Sequence, residues 1–313
     1  MSHESKKWRY MADAHREALI NSLVIRCFRD MGDNDYIGAR AMYRAHLPSQ
    51  FLWSAQQAVE KYLKCILVLN RVSSKGLSHE IQKALNRINT DCPFKIELNR
   101  IERSIFDHLA MYGENRYLEI SYHVHDKELL KLDQLVWHLR QYCRPLNTTQ
   151  ETANGTIFML QPMLDMIKRS WDGKASAGHL PTGKLEGILR KKDHPSREAL
   201  VWKNMRYASV DRQRVAWKNW MSAENAPLWL NPELLDDVLP LIQVDKQVAE
   251  AYRQLAQLPT VLVQSGSEHK VAELVRSVGT KDLVAVFQRV DFAIVIELFL
   301  TPPVGRGCRF EIN

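Results

Sequence analysis

Between Pro48 and Asn70 the apolar residues of this chain crowd onto one broad face of a single helix. Phe51, Ala55, Ala58, Tyr62, Ile66 and Leu69 recur at steps of three and four, and Leu52, Val59, Leu63 and Leu67 widen the stripe. Gln56, Gln57, Glu60, Lys61 and Lys64 fall on the opposite face. Pro48-Ser49 marks the start, Ser73, Ser74 and Gly76 mark the stop, and Ser78-His79-Glu80 is expected to open the next helix. A helix this long, apolar on one side only, needs partner helices on that side and water on the other. The segment therefore predicts a helical bundle.

The flanking sequence extends that reading. Residues 1–30 form a leading helix, with Trp8, Met11, His15, Leu19, Leu23 and Cys27 near helical spacing, and Gly32-Asp33-Asn34-Asp35 is expected to break it. Helices follow over 36–47, 49–72, 79–90, 98–112 and 127–143, and Arg144-Pro145 closes the bundle. Turn chemistry at 147–156 suggests a link, followed by a helix over 157–170 and a loop from Trp171 to Gly183. The echo of Trp202-Lys203-Asn204 in Trp217-Lys218-Asn219 fits either one helix face repeated or coincidence. Residues 233–257 look helical, whereas Val261-Leu262-Val263, Leu283 to Phe287 and Phe292 to Leu300 are β-branched and apolar. The expected architecture is mainly α: a leading helix (1–30), an antiparallel bundle (31–146), a basic helical region (147–258) and a small α/β tail (259–313).

Composition excludes several classes. Cys27, Cys65, Cys92, Cys143 and Cys308 contain no C-x-x-C pair, which argues against a zinc ribbon and a disulfide framework. No signal-peptide core and no membrane-length apolar run is present, so a cytoplasmic, reducing location is expected. The sequence holds no phosphate-binding glycine loop, no dinucleotide fingerprint and no nucleophile elbow. No cofactor or metal is expected. His123 and His125 lack a cysteine or carboxylate cluster to complete a site.

The net charge of +7 is concentrated. Lys184, Arg190, Lys191, Lys192, Arg197, Lys203, Arg206, Arg212, Arg214 and Lys218 stand against only Glu186, Asp193, Glu198 and Asp211. Such a patch attracts polyanions, because counterion release from phosphates drives binding. Trp202, Tyr207, Trp217 and Trp220 lie among these charges. They suit stacking with single-stranded RNA bases, or equally a small core crossed by Arg and Lys stems.

Asp35-Tyr36, Ala39-Arg40, Phe51-Leu52-Trp53, Gln57-Ala58, Glu60-Lys61-Tyr62-Leu63-Lys64 and His79 together resemble a bacterial HEPN domain. Gly113, Asn115 to Glu119, Leu132-Asp133 and Val136-Trp137 resemble the end of the same domain, so the likeness spans about residues 30 to 146. Some HEPN domains are metal-independent ribonucleases with an Arg and a His four to six residues apart near a dimer cleft. The resemblance implies that the His moves protons at the ribose hydroxyl and leaving oxygen, while the Arg holds the scissile phosphate. Arg9/His15, Arg40/His46, Arg103/His108 and Arg116/His123 all meet that spacing. The family carries the pair late in the bundle, which leaves Arg103/His108 and Arg116/His123. Arg103/His108 is the better catalytic candidate, Arg116-Tyr117 the structural one, although Glu102 and Asp107 would repel an RNA backbone. His79 is expected to pack against the hairpin.

The implied function is RNA-directed: a metal-independent endoribonuclease of a toxin–antitoxin, stress or phage-defence system, acting as a homodimer. A nucleotidyltransferase-type partner would reside in another chain, since the Gly-Ser and paired aspartates of that activity are absent here. The alternative is a non-catalytic module that binds a partner protein, a nucleotide or nucleic acid.

Overall fold

The structure, a computed structural model, describes residues 3–112, 122–152, 155–171, 179–180, 182–207, 221–224, 228, 231–242, 244 and 246–256. The α/β tail expected over 259–313 lies outside these residues, as do Arg116, Arg212, Arg214, Trp217, Lys218 and Trp220. Helices dominate, so the fold is mainly α. The chain divides into two compact units, Met1–Glu114 with Asp126–Asn219, and Asn115–His125 with Trp220–Asn313. These units cut the chain differently from the boundaries at 31, 147 and 259.

In the first unit, α1 (His3–Val24) passes through a π turn (Ile25–Arg29) into α2 (Asp30–Arg44). The break expected at Gly32 does not occur. Gly32 instead lets α2 press against the next helix: a Cβ there would lie 3.1 Å from the Tyr62 ring and 3.3 Å from the Ala58 carbonyl. His46, with φ 56°, turns the chain, and Pro48 begins α3 (Pro48–Leu69), where its missing N–H costs no hydrogen bond. The stripe faces inward as expected: Phe51, Ala55, Ala58, Tyr62 and Ile66 are buried. Full burial of a side chain such as Phe51 or Ile66 contributes roughly 1.5–3 kcal/mol.

The third connection departs from expectation. Ser78 does not cap α4 (Ile81–Asp91); it takes a left-handed φ of 49°, and its carbonyl accepts from Lys64 Nζ at 2.9 Å. α5 (Arg100–Tyr112) has the stronger start. Asn99 Oδ1 accepts the Ile101 and Glu102 N–H groups, and Glu102 Oε2 accepts the Asn99 N–H at 3.0 Å, a reciprocal cap. α6 (Glu128–Gln141) runs antiparallel to α5 and closes the bundle.

Beyond it, the expected link is a β-hairpin, β2 (Thr149–Thr152) pairing antiparallel with β3 (Gly155–Phe158), where Gly155 supplies a φ of 116°. α7 (Leu160–Trp171) follows. The basic region forms two short helices, α8 (Lys184–Arg190) and α9 (Arg197–Val201), in place of one long face, and Trp202 already lies past the end of α9.

In the second unit, β1 (Tyr122–His125) pairs antiparallel with β4 (Met221–Glu224). The helix expected over 233–257 is interrupted: a 3-10 turn (Pro232–Leu234) leads into α10 (Leu235–Val238), and α11 (Lys246–Ala256) follows. Leu235, Ala249 and Tyr252 are buried there.

Candidate functional site

Two helices of the bundle carry the same spacing of charge. α2 has Asp33 and Arg40; α6 has Asp133 and Arg140. Seven residues is two helical turns, so each Asp and Arg share one face. All four are buried. The antiparallel crossing exchanges them. Arg140 Nε and Nη2 donate to Asp33 Oδ1 and Oδ2 at 2.8 and 2.9 Å, while Arg40 Nη1 donates to Asp133 Oδ1.

The remaining donors of both guanidinium groups go to the segment after the bundle. Arg140 Nη1 and Nη2 reach Glu186 of α8 at 2.7 and 2.9 Å. Arg40 Nε donates to the Ala199 carbonyl at 2.9 Å, and its Nη2 to the Trp202 carbonyl. Three tyrosines complete the network. Tyr62 donates to Asp33 at 2.8 Å, Tyr36 donates to Asp133 at 2.7 Å, and Arg140 Nη1 also approaches the Tyr207 hydroxyl at 3.4 Å. Asn204 bridges, giving its Nδ2 hydrogen to Tyr36 at 2.9 Å and accepting the Arg206 and Tyr207 N–H groups. Gly183 is required beside this contact, because a Cβ would fall 1.9 Å from Glu186 Oε2 and 2.6 Å from Arg140 Nη2.

Electrostatics keeps each group in one state. Burial, then the neighbouring Asp133 and Asp33, pushes the Tyr36 and Tyr62 phenols well above their ordinary range, so both remain donors. Burial would raise Glu186, but His179, Arg140 and the Leu180 N–H together hold it well below the usual carboxylate range. Arg140 stays charged: the cost of burial is outweighed first by Asp33. A buried hydrogen-bonded network of this kind, with Asp133 Oδ2 alone left without a hydrogen-bond partner among the four ion-pair side chains, fixes geometry. Its effect is to lock α8, α9 and the turn to Tyr207 onto the bundle.

That lock determines how the basic residues are displayed. Arg190, Lys191 and Lys192 are exposed at the end of α8. The other described cations of the patch lie closer in. Arg197 Nε donates to the Leu189 carbonyl at 3.3 Å. Lys203 lies over the Trp202 ring at 5.0 Å and Arg206 over Trp137 at 5.6 Å. Arg44 also lies over the Trp202 ring, at 5.6 Å, and bridges to Glu198 at 2.7 Å. The aromatics among the charges thus serve partly as platforms for Arg and Lys stems.

The expected catalytic pair is held by different groups. Arg103 Nη1 reaches Asp107 at 3.4 Å and Gln82 of α4 at 3.2 Å, and lies over the Phe106 ring. His108 Nδ1 meets Glu128 of α6 at 3.2 Å, and its side chain is only 10% exposed. A second pair spans the same helices in the reverse sense, His138 Nδ1 meeting Glu102 at 3.0 Å. Burial raises Glu128, but His108 and Lys131 outweigh it and hold the carboxyl at about 2. Arg103 and His108 therefore contact separate carboxylates rather than one shared centre. Of the other candidate pair, Arg116 lies outside the described residues and His123 falls in β1. His79 packs on the hairpin, its Nδ1 2.9 Å from Glu60 and its ring against Trp53. Among the described residues, no group of three His, Cys, Asp or Glu could hold a metal ion, and no helix is long and apolar enough to cross a membrane.

Asp33, Arg140 and Glu186 were not among the residues singled out from sequence as functional. Arg140 follows Leu129, Leu132 and Val136 on the inward face of α6, and a charge at such a position signals a buried partner. No protein-family model, curated protein or solved structure matches the chain.

Proposed function

We propose that this chain is a HEPN-like, non-catalytic module that binds RNA through the basic face after α8. The observation that carries this reading is the display of Arg190, Lys191 and Lys192 on a segment pinned to the bundle by Arg140 and Glu186. Three adjacent exposed cations on a fixed scaffold meet a phosphate backbone with little ordering cost. The residues that carry the HEPN resemblance, Tyr36, Arg40, Tyr62 and Asp133, fall in the interhelical network, where they serve packing rather than chemistry.

The test is binding of labelled single-stranded RNA by fluorescence anisotropy over a salt series. Replacing Arg190, Lys191 and Lys192 with alanine flattens the slope of log affinity against log salt by about 2, roughly 0.7 per lost phosphate contact. An unchanged slope would refute the assignment.

A second reading is a metal-independent endoribonuclease using Arg103 and His108, with a nucleotidyltransferase-type partner in another chain. It draws on the Glu128 contact, which orients the His108 ring as a carboxylate orients a catalytic imidazole. Cleavage of a mixed RNA pool by the parent, lost in both His108→Ala and Arg103→Ala with folding intact, would favour it over the binding module.

A further inference from the structure

Among the described residues, three imidazoles meet a glutamate closely through Nδ1: His79 with Glu60 at 2.9 Å, His108 with Glu128 at 3.2 Å and His138 with Glu102 at 3.0 Å. Two are packed away, their side chains 10% and 5% exposed. The His79 side chain is 50% exposed, while the Glu60 side chain behind it is 8% exposed. α3 holds this histidine at three points. Glu60 Oε2 meets Nδ1, Gln56 Nε2 donates to the His79 carbonyl at 2.8 Å, and the Trp53 ring lies 6.1 Å from the imidazole. Glu60 is itself fixed, accepting from Lys64 Nζ at 2.6 Å and from Gln57 Nε2 at 3.3 Å. A carboxylate can only accept, so it selects the tautomer with hydrogen on Nδ1 and leaves the Nε2 lone pair directed away from it.

We infer that His79 is a modification site, its Nε2 accepting a phosphoryl group from an activated donor of the phosphoramidate class. The Nε2 lone pair attacks phosphorus and forms the Nε2–P bond. The donor's P–N bond breaks, and its electron pair leaves on ammonia. The ring keeps its Nδ1 hydrogen and becomes cationic, facing the Glu60 carboxylate. Chemistry and position select this group over others. A metal would need further ligands, and no group of three His, Cys, Asp or Glu among the described residues could hold one. An acyl imidazole hydrolyses readily in water, whereas phosphoryl on Nε2 persists at neutral pH and is lost in acid. An anion also suits the place. His79 stands one residue before Glu80, the N-cap of α4, which makes no side-chain cap hydrogen bond. The positive end of an eleven-residue helix therefore follows directly. The Glu80 carboxylate, the nearest acid in sequence, is countered by Lys83 at 2.7 Å. This assignment does not rest on RNA binding by Arg190, Lys191 and Lys192.

The test is incubation of the full-length protein with potassium phosphoramidate, with the adducts located and timed by mass spectrometry. His179 is the internal comparison, since its side chain is 41% exposed but its Nδ1 lies 3.8 Å from Glu186. The parent takes up one acid-labile phosphoryl group first at His79, about tenfold faster than at His179 or any other histidine, the scale on which a carboxylate behind an imidazole tunes it. His79→Gln removes that fast phase. Glu60→Gln, shown by thermal melts to be folded, slows it about tenfold. Labelling of His79 no faster than of His179, or an unchanged rate in folded Glu60→Gln, would overturn the assignment. The comparison within the parent needs no variant, so it decides the matter even where Glu60→Gln does not fold.

Discussion

Arg140 holds Asp33 through two parallel hydrogen bonds of 2.8 and 2.9 Å, joining residues 107 positions apart in the chain. Both side chains are completely buried, and the same guanidinium also holds Glu186. One arginine therefore fastens the bundle and secures the basic segment to it.

Arg140→Met is expected to cost about 3–5 kcal/mol, because it leaves Asp33 and Glu186 as buried charges without their partner. Adding Asp33→Asn and Glu186→Gln should recover part of the loss by removing the stranded charge. Urea denaturation of the parent, the single variant and the triple variant checks this. A single Arg140→Met variant as stable as the parent would mean that the pairing contributes nothing.

Acid should unfold the protein from a defined range. Glu128 sits at about 2, below its ordinary 4.5, and Glu186 is depressed in the same direction. Each stabilises fully above 4.5 and loses that contribution as pH falls through its folded value. Glu128 alone accounts for about 3 kcal/mol by this conversion. Asp133 acts oppositely: burial outweighs Arg40 and Tyr36 and raises it, so its contribution declines as pH rises through that raised value. Stability measured from pH 7 to pH 2 should fall below about pH 4.5, and Glu128→Gln should flatten the decline.

Gly183→Ala should destabilise by about 1–3 kcal/mol, the usual cost of overpacking. The added methyl would meet Glu186 and Arg140 directly, so the loss should shrink when Glu186 is also replaced by alanine. Thermal melts of the single and double variants make the comparison.

Asn99→Ala should cost about 1 kcal/mol by removing the acceptor for the Ile101 and Glu102 N–H groups. Glu102 would keep both His138 and the backbone N–H of residue 99, so only the half of the reciprocal cap made by the Asn99 side chain is lost. Hydrogen exchange should quicken at the first turn of α5 while α3 stays protected.

The helices were legible where apolar spacing was regular. Phe51 to Leu69 repeats long enough to define a face, and the structure buries that face. Gly32 was misread, because the same residue that weakens a helix also permits close packing, and only the partner Tyr62 distinguishes the two. The hairpin at 149–158 was hidden because its Phe158 and Ile157 stay exposed and no apolar alternation marks the strands. The buried ion pairs were half legible. Asp33 and Arg40, and Asp133 and Arg140, share a seven-residue spacing in the sequence, but their pairing depends on a crossing between distant helices. The Arg103/His108 candidate shows the converse, since closeness in sequence placed the two side chains against different helices.

The exchange between α2 and α6 also encodes polarity. Turned to run the same way, these helices would face Asp33 with Asp133 and Arg40 with Arg140, burying like charges together. Only the reversed orientation neutralises both ends, so four side chains suffice to reject a parallel setting of α2 against α6, whichever hydrophobic contacts that alternative satisfies.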